Sequence, residues 1–153
     1  MKNHYLIHAA IMSFSAALLH LGCIVFGANW YRMLGAGEQM AQMAELGSLT
    51  PTIITSCIIL LLLTCSSYAL SGAGVIKHLP FTRIVLALIS MVFLLRGVAF
   101  PAMMPALPEN SLLFWLVSST ICIVIGAFYA FGTWQIWSNQ EQNNNQNAPH
   151  NVS

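Results

Sequence analysis

Residues 52–71 read TIITSCIILLLLTCSSYALS, a run from Thr52 to Ser71 without a charged side chain. As a helix rising 1.5 Å per residue it is about 30 Å long, the thickness of a bilayer's hydrocarbon core. Pro51 stands just before it, where a missing N–H does a helix no harm. Similar apolar runs lie at 5–28, 81–100 and 111–134, so the chain predicts four membrane spans. Of the 153 residues 58% are hydrophobic and 6% charged, whereas a soluble domain carries about a quarter charged residues. A mean hydropathy of +0.74 agrees. The expected fold is all-α: an integral membrane four-helix bundle occupying one domain over 1–137.

The ends of the runs carry their own marks. Pro80 precedes the third run, and Pro101 predicts a stop at Phe100. Trp30, Tyr31, Trp115, Trp134 and Trp137 fall at or near span ends, as interfacial aromatic belts do. Phe26-Gly27-Ala28 echoes Phe100-Pro101-Ala102, and Tyr68-Ala69-Leu70 resembles Tyr129-Ala130-Phe131. Tandem helical hairpins explain this echo, and so does the ease with which apolar helices match each other.

Lys2 ahead of an apolar run resembles a secretory signal, and Leu21-Gly22-Cys23 a lipoprotein cleavage box. The run is long for a signal, no small-x-small site ends it, and His20 stands where the box wants an aliphatic residue. It is read as a retained helix. After the last run, Ser138 to Asn147 holds no apolar residue, so 138–153 is expected to be a disordered polar tail.

Charge fixes the expected orientation. Lys2, Lys77 and Arg83 lie on one side against Arg32 and Arg96 on the other, which predicts both termini in the cytoplasm of a multi-pass inner-membrane protein. A net charge of +1 supplies no basic field, so nucleic acid is excluded as a partner. Membrane lipid is the expected partner, with a second membrane protein or another copy of the chain as further ones. Cys23, Cys57, Cys65 and Cys122 form no C-x-x-C pair and read as buried thiols.

Four places invite a functional reading. Arg96 sits four residues from the expected end of its span, about 6 Å, so it is either a snorkelling anchor on lipid phosphate or part of a polar cluster. The first loop has glycines on both sides of a helix-forming run, predicting a short interfacial helix from Glu38 to Leu46. Glu38 and Glu45, seven residues apart, share its face, and either is a candidate partner for Arg96. His20 lies on a small-residue stripe with Ser13, Ala16, Ala17, Cys23 and Gly27. That placement suits a hydrogen bond across a helix interface, or a titrating role. Ser119, Cys122, Gly126, Tyr129 and Thr133 form the clearest polar stripe, which reads as helix packing or as the lining of a ligand cavity with Tyr129 in it.

No metal or cofactor motif is present. Met33, Met40, Met43, Met103 and Met104 make no M-x-x-M-x-x-M array, and no phosphate loop, H-E-x-x-H or G-x-S-x-G occurs. The sequence therefore leans toward a non-enzymatic accessory, assembly or lipid-interacting membrane protein. Its rival is a small transporter or membrane-embedded enzyme whose outward pocket (Arg96, Glu38, His20) takes an anionic, lipidic or quinone-like ligand.

Overall fold

The computed structural model describes residues 3–106 and 112–146. Among these the chain is helical throughout, without strands: α1 (His4–Phe26), α2 (Ala28–Met33), α3 (Glu38–Glu45), α4 (Thr50–Gly72), α5 (Thr82–Val98), α6 (Phe100–Met103) and α7 (Leu112–Gln146), with a 3-10 turn at Met104–Ala106. Three helices, α1, α4 and α7, are long and apolar enough to cross a membrane. The fold is that of a membrane-embedded protein.

Each boundary has a local cause. Asn3 caps α1, its side-chain oxygen accepting from the Leu6 N–H at 3.2 Å. The same side chain donates to the Gly132 carbonyl at 2.8 Å, so one residue both starts α1 and ties it to α7. Gly27, at φ 73°, breaks the first apolar run before its expected end, and α2 begins immediately beyond it. Proline occupies the first turn of α4 and of α6. α5 stops at Val98, slightly short of the expected Phe100, because α6 restarts at Phe100 with Pro101 in its first turn.

The last helix departs most from expectation. α7 continues from Ser138 to Gln146, through residues expected to be disordered. The stretch is polar but holds no Gly or Pro, and extending an existing helix needs no new nucleus. The remainder of that expectation, 147–153, lies outside the described residues.

The long helices pack mainly as two antiparallel pairs, α1 with α4 and α5 with α7, and α1 against α7 joins the pairs. Hydroxyls and small residues make the joints. Ser66 Oγ donates to the Ala10 carbonyl at 3.0 Å, and Ser90 Oγ to that of Gly126 at 3.0 Å. Ser13 Oγ and Tyr129 Oη are 3.0 Å apart between α1 and α7. In an apolar medium such bonds each contribute about 0.6 kcal/mol, up to roughly 1.7. Gly126 permits close approach of α5 and α7: a Cβ placed there would lie 3.0 Å from the Leu94 backbone nitrogen. Leu6, Ala9, Ala69, Leu86 and Tyr129 form the core between the pairs.

Candidate functional site

Both candidate sites lie at the end of the molecule where α1 and α5 finish and α4 and α7 begin. The first is the α2/α3 hairpin. Gly35 and Gly37, at φ 70° and 95°, turn the chain so that α3 folds back on α2. Tyr31, buried, fixes α2 to α4 through a 3.1 Å bond between its hydroxyl and that of Thr55. Ala41 packs α3 onto Tyr31 and Cys23.

Across the hairpin Arg32 holds both carboxylates. Its Nε and Nη2 donate to the two oxygens of Glu38 at 2.8 and 2.6 Å, and Nη1 donates to Glu45 at 2.7 Å. Glu38 and Glu45 do share a face, as their spacing predicts, but the guanidinium bridging them is Arg32. The guanidinium holds the Glu38 carboxyl below its ordinary range, and the two carboxylates push Arg32 above its own. Arg32 is near in sequence, so its side chain reaches α3 with little loop to close. The pairing of Arg96 with Glu38 or Glu45 is not what the structure shows.

The second site is Arg96 itself. Its guanidinium carbon lies 5.5 Å from the centroid of the Trp115 ring, a cation–π contact between the last turn of α5 and the first turn of α7. Three polar atoms here are buried without a hydrogen-bond partner among the described residues: Arg96 Nη1, Trp115 Nε1 and Ser119 Oγ. Trp115 and Ser119 are 1% and 3% exposed, so water does not reach their polar atoms from outside. Such groups are costly in an apolar interior. Gly97 lets the two turns meet, since a Cβ there would lie 3.0 Å from the Ser119 carbonyl oxygen.

The remaining candidates stand apart. His20 Nδ1 is 2.8 Å from the Ala16 carbonyl of its own helix, a local bond in place of the expected interhelical one. Tyr129 is fully buried, stacked on Phe93 with ring centroids 5.9 Å apart, and bonded to Ser13. It lies about 21 Å along α7 from Trp115. The α7 stripe thus turns inward, with Tyr129 as an interhelical joint and Ser119 as its unpartnered member. Arg96, Glu38 and His20 each keep separate company.

Sequence reasoning missed Arg32 as the clasp and Trp115 and Ser119 as companions of Arg96. A signal for the first existed: one cation six residues before Glu38, across a Gly-x-Gly turn. Among the described residues no group of three or more His, Cys, Asp or Glu side chains comes together to hold a metal. No family model, curated protein or solved structure matches the chain.

Proposed function

We propose that this chain is a multi-pass inner-membrane protein that acts without catalysis, as a lipid-interacting or accessory subunit. In this reading α1, α4, α5 and α7 all span the bilayer as a four-helix bundle. α5, with 17 residues, is at the short end of the spanning range. The antiparallel pairing returns both ends of the chain to one side, and the Lys/Arg bias makes that side the cytoplasm. α3 then lies in the outer interface.

The observation that carries the reading is the Arg32 clasp. It occupies both carboxylates that an outward transport or catalytic pocket would have set against Arg96. With Tyr129 and Ser13 spent on joining helices, the polar groups favour a structural scaffold over a reaction centre. Native mass spectrometry of the protein released from its own membrane in a mild detergent tests this. A retained lipid or co-released membrane protein is the expected result, and a bare monomer at every expression level overturns the reading.

A further inference from the structure

We propose that the turns of α5 and α7 around Arg96, Trp115 and Ser119 bind the phosphate of one phospholipid, with an acyl chain in the cleft between α4 and α5. The proposal rests on the lipid-interacting reading above and names the site and chemical class of the lipid.

The chemistry of the three atoms selects the ligand. Arg96 Nη1 and Trp115 Nε1 are donors only, and the Ser119 hydroxyl is a third donor. One positive charge accompanies them. As they stand these atoms are closed to water, so the ligand enters as the half-buried Arg96 side chain lifts from the Trp115 ring. A group that then satisfies all three is rich in acceptor oxygens and negatively charged, which describes a phosphate. α7 begins at Leu112, three residues before Trp115, so the positive end of its dipole lies on the same side. Arg96 is two residues from the end of α5, about 3 Å along the axis, a depth suited to a headgroup phosphate.

The α5 register supplies the second half of the argument. Val85, Ile89 and Val92 line an apolar cleft of about 370 Å³, closed on the α4 side by Ile58, Leu61 and Cys65. Steps of four and three relate these α5 residues, and a further step of four from Val92 reaches Arg96. Arg96 therefore stands about 6 Å above the cleft on the same helical face. A charged, donor-rich site above an almost wholly apolar cleft matches a phospholipid, headgroup first, better than it matches a free ion.

The test uses the full chain in dodecyl maltoside micelles, which contain no phosphate. Dioleoylphosphatidylglycerol, dioleoylglycerol and inorganic phosphate are added separately, and occupancy is read by native mass spectrometry. The wild type should retain the phosphatidylglycerol and not the dioleoylglycerol. Arg96→Gln should weaken retention roughly tenfold to a hundredfold, the range for a hydrogen bond to a charged group.

Trp115→Phe keeps an aromatic ring under the guanidinium and removes its N–H; with Ser119→Ala it carries the test if Arg96→Gln does not fold. Both should weaken retention by smaller factors. Inorganic phosphate that binds alone and displaces the lipid equally well would overturn the lipid assignment. Retention indifferent to all three substitutions would overturn the site while leaving a lipid-interacting protein.

Discussion

Arg32 binds Glu38 through two parallel hydrogen bonds, 2.8 Å from Nε and 2.6 Å from Nη2, and still has Nη1 left for Glu45. The geometry is the bidentate fork that lysine cannot reproduce. All three side chains are exposed enough for solvent to screen them, so the clasp orders the hairpin more than it stabilises the whole protein. Arg32→Gln should leave global unfolding nearly unchanged and raise hydrogen exchange across α3. Unchanged exchange would mean that Ala41 and Tyr31 hold the hairpin alone.

The same clasp has a pH signature. Because the folded Glu38 carboxyl titrates below its ordinary value near 4.3, its contribution is present above that value and is lost as pH falls through the folded one. Arg32 is shifted upward, so its contribution persists at every lower pH. Exchange at α3, corrected for the intrinsic rate, should therefore be flat from neutrality down to the carboxylate range and rise below it. In Arg32→Gln that rise should vanish.

Close packing at Gly126 can be tested directly. A Cβ there would lie 2.9 Å from Leu94 Cγ and 3.0 Å from the Leu94 backbone nitrogen, and the backbone atom cannot swing aside. Gly126→Ala should destabilise the α5/α7 pair by about 1–3 kcal/mol, the usual cost of overpacking. Gly47→Ala, where no atom lies within 4 Å but φ is +74°, should cost only the local backbone strain. Denaturant unfolding in micelles measures both.

Tyr129→Phe removes the bond to Ser13 while keeping the stack on Phe93. A loss of about 0.6–1.7 kcal/mol is expected. The Ser13→Ala/Tyr129→Phe double-mutant cycle should give a coupling energy of the same order. A cycle that closes at zero would remove this joint from the account.

Topology is open to labelling. In the proposed topology, with both termini inside, a cysteine introduced at Gln42 on α3 should react with an impermeant maleimide added outside intact cells. One at Lys77, between α4 and α5, should react only after the membrane is opened. The reverse pattern would invert the orientation given by the Lys/Arg bias.

How much could be read from the chain differs by element. α1, α4 and α7 were legible because long charge-free runs leave a bilayer as their only favourable surroundings. α3 was legible almost to its ends, since glycines bracket it and Glu38 sits where negative charge is favoured. α2 was not, because a single Gly27 interrupts the apolar pattern without changing its composition. Partner choice was not legible either. Arg96 and Arg32 lie at the same end of the molecule, and only helix rotation decides that Arg32 meets the carboxylates while Arg96 turns onto Trp115. Apolar helices carry weak rotational signals, so that decision rests on packing at Gly97 and Gly126, which sequence pattern does not order.

α7 extends well past the apolar part of its sequence. Its 35 residues make a rod of about 52 Å, some 20 Å longer than a bilayer's hydrocarbon core. In the proposed bundle the Ser138–Gln146 portion, about 13 Å, continues as helix beyond the lipid. A protease meets continuous helix immediately beyond Trp137, so no stable cleavage product should end between Trp137 and Gln146.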